Sequence, residues 1–136
     1  MDDSWSAVPE WIQKAEADWE VVQTLGGKDT KTLHDAIVFH AQQCTEKLLK
    51  ARLIQLGQAI RKTHDLAALS QLLQQADADW SWDEDELEEL SDGGVLSRYP
   101  GFDTSSEEMQ KLTAIASRLR QALLGRLGAA NLTSGQ

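Results

Sequence analysis

The sequence holds one cysteine, Cys44, so no internal disulfide can staple the chain. A lone thiol is consistent with a reducing, cytoplasmic setting. One Cys and three scattered His are too few for a zinc site, and no metal or other cofactor is expected. Only two prolines occur against nine glycines, and both residue types fall between periodic segments, not inside them. No apolar run approaches the roughly 18 residues of a membrane span. The opening MDDSWSAVPE is acidic and lacks an apolar h-region, so no secretory signal is expected. No alternating strand pattern and no internal repeat is evident. Basic residues are missing altogether from residues 77–92, DADWSWDEDELEELSD.

That last absence explains the net charge of −9. Nine of the 22 acids lie in this one stretch, and the remaining 13 match the 13 Lys and Arg of the chain. The acidity is therefore a local patch on a neutral body. A general field that would gather nucleic acid is absent, so RNA binding is not expected from charge. At 136 residues, 41% hydrophobic and 26% charged, the chain has the composition of one soluble globular domain with a real core.

What is present is helical periodicity. A first helix is expected over Pro9–Leu25, where Pro9 suits a first helical position and Val8, Trp11, Ala15, Trp19 and Val22 form one stripe. A second is expected over Thr32–Leu56. Its main stripe is Leu33, Ile37, Ala41, Cys44, Leu48 and Ala51, with Val38, Leu49, Leu53 and Leu56 nearly opposite. A helix apolar on two faces is central, or is covered on its second face by a partner. THDLAALSQLLQQA reads as the third helix. A short acidic helix is expected within residues 83–91, capped by Asp83, followed by a loop, SDGGVLSRYPGFDTS. The last helix starts near Ser105, at capping-box spacing from Glu108, and ends at Gly128. The fold class expected is all-α: an up-and-down antiparallel bundle of four main helices plus the acidic one. It forms a single domain over residues 1–128, with 129–136 as a flexible tail.

Candidate site residues fall in three places. At about 100° per residue, Gln43, Glu46, Lys47 and Lys50 share one strip of the second helix, with Phe39 inside it and His40 at its border. A solvated face explains such a strip; so does a polar cleft in which a partly buried Lys47 needs an anionic partner. In RKTHDL, Thr63 or Asp65 can cap the third helix, which leaves His64 unexplained. A helix start disfavours an imidazolium, so a neutral ring is expected there, packed as a structural group or facing a polar site. In SRYPG, Pro100 pushes Tyr99 toward extended backbone, which would display Arg98 and Tyr99 on opposite sides. Arg98 suits a phosphate or carboxylate, from a ligand or from the bundle itself.

Taken together, DAIVFHAQQCTEKLLKARLIQLG, RKTHDLAALSQLL and SRYPG before a final amphipathic helix resemble the HEPN domain family, the higher eukaryotes and prokaryotes nucleotide-binding domain. The resemblance spans about Trp11 to Leu127. It implies a helical bundle that is commonly a homodimer, often encoded beside a minimal nucleotidyltransferase as a two-component or toxin–antitoxin pair. Some members bind nucleotides and one branch cuts RNA. The cutting branch uses an Arg and a His separated by four to six residues. Here Arg61 and His64 have only two residues between them, and no His follows Arg98. General acid–base cleavage thus has no obvious agent unless His64 and Arg98 meet in space. The reading expected is a non-catalytic, dimeric member that binds a nucleotide or a partner nucleotidyltransferase through Lys47, Lys50, His64, Asp65, Arg98 and Tyr99. An RNA-cleaving toxin using His64 and Arg98, and an acidic interaction module, are the alternatives.

Overall fold

Burial of both apolar faces of one helix organises the molecule. In the computed structural model, which describes residues 7–28 and 30–128, this is α2, His34–Gln55. Ile37, Ala41, Cys44, Leu48 and Ala51 on one face and Val38, Leu49 and Leu53 on the other are all sealed from solvent. The covering comes from within the chain: α1 (Val8–Gly26), α3 (Leu66–Ala76), α4 (Glu84–Leu96) and α5 (Ser106–Leu127) all pack on α2. No strand occurs among the described residues. The second face of α2 is therefore an internal surface and gives no support to a dimer.

Residue pairings fix the directions. Trp11 lies by Lys50 and Asp18 by Lys47, so α1 runs against α2. His34 Nδ1 lies 3.1 Å from the Thr104 carbonyl, and Gln55 reaches the Leu127 carbonyl, so α5 runs alongside α2. Glu86 pairs with Arg118 while Gly93 sits against Leu112, so α4 runs against α5. The 56–65 connection brings the chain back beside Glu46 before α3 begins. That return is what delivers His64 to the middle of α2.

Capping chemistry sets most ends. Asp65, Asp83 and Ser105 accept N–H groups from Ala68, Asp85 and Glu108 at the starts of α3, α4 and α5. Gly128 closes α5 in the left-handed conformation, φ 73°. A 3₁₀ turn, Lys31–Leu33, precedes α2, which starts at His34 rather than Thr32. The third helix starts at Leu66, because Asp65 is extended to act as its cap. The expected tail, 129–136, lies outside the described residues.

The acidic helix is longer than expected, and the loop correspondingly shorter. Residues 91–96 continue α4 through Gly93 and Gly94, a pair that reads as a breaker in sequence. Packing overrides that weak propensity. A Cβ on Gly94 would lie 2.5 Å from both Cβ and Cγ of Gln42, and one on Gly93 would lie 2.6 Å from Leu112 Cδ1. The two glycines let α4 cross closely over α2 and α5. Gly94→Ala is accordingly expected to destabilise by about 1–3 kcal/mol, despite the better helix propensity of Ala, because α2 and α4 must separate. Chemical denaturation monitored by helical circular dichroism measures it, and unchanged stability would refute the close crossing.

At the far end of the bundle Asp77 ties three elements together. Its carboxylate receives Arg126 at 2.6 Å and Arg52 at 3.2 Å, so the ends of α5, α2 and α3 meet on one acid. Burial pushes this carboxyl up, but the hydrogen bonds from Arg126 and Arg52 outweigh it and hold it below the usual carboxylate value of 3.8. A lowered folded-state value stabilises the fold above pH 3.8 and loses that contribution as pH falls through the lowered value. Asp77→Asn is expected to melt lower than the parent at neutral pH, with the two melting curves converging in acid below pH 3.8. A constant gap across that range would remove the carboxylate from the account.

Candidate functional site

Thr63, His64 and Asp65 are held from three sides. Thr63 Oγ1 accepts the Asp65 N–H at 3.1 Å, and Asp65 Oδ1 accepts the Ala68 N–H at 3.2 Å. The His64 carbonyl accepts Gln42 Nε2 from α2 at 3.2 Å and Ser91 Oγ from α4 at 3.0 Å. Ser91 Oγ in turn accepts the Leu66 N–H. Backbone groups at a helix start are thus satisfied by named partners, and the corner is rigid.

The imidazole uses that rigidity. His64 Nδ1 lies 2.8 Å from Glu46 Oε1. A carboxylate only accepts, so Nδ1 carries the hydrogen and donates it. Nε2 is left without a partner among the described residues, on a side chain that is 63% exposed. Glu46 itself is buried. Its other oxygen receives Lys50 Nζ at 3.1 Å, and Gln42 Nε2 donates to Oε1 at 3.1 Å. Gln43 Nε2 donates to Gln42 Oε1 at 2.9 Å. Lys50, also buried, lies 6.0 Å from the Trp11 ring centre. A buried ion pair costs several kcal/mol of desolvation and adds little net stability over apolar packing. Here the expense supports a connected network whose most exposed member is the His64 ring.

The other expected residues divide between this network and its surroundings. Lys47 does not face His64; it binds Asp18 of α1, and the second Asp18 oxygen lies 2.8 Å from His40 Nδ1. Two carboxylates, Asp18 and Glu46, thus each hold one His and one Lys. Asp65 adjoins His64 as the α3 cap. Arg98 stacks over Phe39, 5.4 Å from the ring centre, and pairs with no carboxylate among the described residues. Phe39 precedes Glu46 by seven positions on the same strip, about 10 Å along the axis. Tyr99, 55% exposed, opens a turn through Pro100 and Gly101 to Phe102, with Gly101 at φ 93° as a type II turn demands. Lys50 and His64 therefore meet through Glu46, Arg98 stands on the same face further along, and Lys47 belongs elsewhere.

Sequence reasoning passed over Gln42, Asp18 and Ser91. Two signals point to them in retrospect. Gln42, Glu46 and Lys50 repeat at i,i+4, and Asp18 interrupts the buried stripe of α1 between Ala15 and Val22, where an acid needs a partner. Charge also constrains the chemistry. The groove between α3 and α4, about 430 Å³, is lined by His64 and by Asp65, Glu84, Glu88 and Asp92, which repel phosphate. Cys44 is no nucleophile: burial above all, with Glu16 adding to it, pushes its thiol up to about 12.

Comparison with protein-family models matches the HEPN domain over residues 8–127. Comparison with curated proteins and with solved structures returns no match. No helix among the described residues is long and apolar enough to cross a membrane. The match begins with α1, ends with α5 and contains every residue of the His64 network, and on it the chain belongs to the HEPN domain family.

Proposed function

We propose that this protein is a non-catalytic HEPN domain that binds the phosphate-bearing end of a nucleotide between His64 and Arg98, on the α2 side of the imidazole and outside the acidic α3–α4 groove. The observation that carries the reading is the Glu46-anchored imidazole, a preorganised hydrogen-bonding group at the mouth of a buried network that contributes little stability of its own. Arg98 supplies the cation, because Lys47 and Lys50 are already neutralised by Asp18 and Glu46. Phe39 beneath Arg98 holds the guanidinium flat for bidentate contact. The family resemblance makes a minimal nucleotidyltransferase the class of protein partner, with the acidic α3–α4 groove as the face assigned to it.

Isothermal titration with ATP and GTP tests the site. His64→Ala and Arg98→Ala are each expected to weaken binding by about tenfold, as loss of a hydrogen bond involving a charge does, while Lys47→Met leaves it unchanged. Absence of heat at millimolar nucleotide would overturn the reading. One observation favours RNA cleavage instead: a carboxylate fixes His64 at Nδ1 and leaves Nε2 outward, as an acid–base imidazole requires. Toxicity on expression, abolished by His64→Ala in a folded protein, would support cleavage. Harmless overexpression with intact cellular RNA would dismiss it.

A further inference from the structure

Three of the four large apolar side chains that stand exposed among the described residues fall within residues 96–102: Leu96 at 40%, Tyr99 at 55% and Phe102 at 50%. Leu96 and Phe102 line a groove of about 520 Å³ between α4, the start of α5 and the turn that joins them. Gly93 gives the groove its floor. A side chain there would run into Leu112, and both residues line the groove, so its absence lets the recess reach that buried leucine. The far wall is fastened to the first turn of α2. Asp35 Oδ1 accepts the Thr104 N–H at 3.0 Å, and the Thr104 carbonyl lies 3.1 Å from His34 Nδ1. An apolar recess held this way is preformed, which lowers the cost of filling it.

Acids stand on both walls. Glu89 and Asp92 come from α4, Asp103 and Glu108 from the turn and α5, and no Lys or Arg lines the groove. Lys111 pairs with Glu89 at 2.7 Å and lies in the field of Glu108. Asp92, Asp103 and Glu108 form no ion pair among the described residues. These carboxylates are spread, not convergent: among the described residues no three acids, His or Cys gather closely enough to hold a metal ion. The same charge repels phosphate, so neither a nucleic acid nor an anionic membrane surface suits the recess. What does suit an apolar floor between two acidic walls is an aliphatic side chain with a cation on each side.

We propose that this groove docks a basic segment of another protein: a short stretch whose aliphatic anchor sits over Leu112 between Leu96 and Phe102, with Lys or Arg on either side against Asp92, Asp103 and Glu108. Charge complementarity selects this occupant. A neutral or acidic segment would cover the three carboxylates without pairing them. The groove is distinct from the acidic one between α3 and α4, which none of the exposed large apolar side chains lines. Asp92 alone of the acids borders both. Docking here is independent of any ligand at His64.

Fluorescence anisotropy of a labelled peptide, Lys-Arg-Leu-Lys-Arg, titrated with the full-length protein at about 0.1 M salt tests it. Saturable binding is expected below about 1 mM protein. The same peptide with Ser in place of Leu should bind roughly tenfold more weakly or worse, because its anchor is gone. Leu96→Ser with Phe102→Ser should lose a similar factor. Asp103→Asn with Glu108→Gln removes the acids that belong to this groove and not to the α3–α4 one. It should weaken binding by roughly tenfold and flatten its salt dependence. Glu20→Gln with Asp85→Asn makes the same change in charge at exposed positions outside the groove and should leave binding unchanged. Helicity and melting temperature establish that each variant is folded. No saturation by about 1 mM protein would overturn the proposal. Equal affinity for the serine peptide would do the same, as would an equal loss in the Glu20 and Asp85 variant, since attraction would then be general and not seated in the groove.

Discussion

Glu46→Leu is expected to cost about 3–5 kcal/mol of folding stability, the largest loss any single polar substitution in this chain should produce. The reason is what remains behind. Lys50 is 7% exposed and Glu46 4%, and the carboxylate is the one ion-pair partner of that ammonium among the described residues. Without it a buried cation is left beside the Trp11 ring with no carboxylate in a low-dielectric setting, and Gln42 loses an acceptor as well. The companion result separates network from function. Glu46→Leu combined with Lys50→Met removes both charges and fills the space with apolar atoms, and is expected to recover most of the lost stability. The repaired protein still lacks the acceptor that fixes His64. Under the nucleotide reading it should be stable yet bind ATP or GTP as weakly as His64→Ala does. A double variant that is stable and binds normally would reduce the Glu46–Lys50 pair to a structural accident. A double variant as unstable as Glu46→Leu would show that the acid's main role lies in positioning Gln42 and the His64 corner.

The same contrast explains how far the sequence was legible. Helical periodicity marks the buried stripes because a single period of 3.6 governs both the pattern and the packing, so both faces of α2 could be read from spacing. Caps are legible for a similar reason: Asp65, Asp83 and Ser105 act on N–H groups two or three residues away. Gly93 and Gly94 mislead because their use is tertiary. Each is a breaker by propensity, yet each occupies a place where α2 or α5 comes too near for a side chain. Charge partners are harder still. Nothing local says that Lys47 will bind Asp18, 29 residues earlier, rather than a ligand, or that Glu46 will hold both Lys50 and His64. The strip on α2 was visible as polar; whether its lysines were spent or available depended on which helix packed beside it. The dimer inferred from α2 failed as an argument on the same ground, since the second apolar stripe is met by helices of the same chain.

Trp80→Ala is expected to lose about 3–5 kcal/mol, equivalent to roughly 10–20 °C in melting temperature for a domain of this size. The residue sits in the most acidic part of the chain, where composition suggests nothing but solvated surface. Its ring is nevertheless 2% exposed. Nε1 donates to Ser70 Oγ at 2.9 Å, Trp82 stacks on it with ring centres 5.7 Å apart, and Arg126 lies 5.6 Å from its centre. Truncation leaves a large cavity between α3 and the end of α5 and leaves the buried Ser70 hydroxyl without its donor. Trp82, half-buried beneath Arg118, should cost far less when changed to Ala, so the pair discriminates a core anchor from a surface stack. The acidic stretch would then have two separable roles. Trp80 pins the α3–α4 connection to the core, and that pin lets Asp83, Glu84 and their neighbours stand outward as a charged face. If Trp80→Ala costs no more than Trp82→Ala in denaturant midpoint at an unchanged slope, the connection is not anchored by burial. In that case the placement of α4, and with it Ser91 behind His64, must rest on Gly93, Gly94 and the contacts of α4 to α2, α3 and α5.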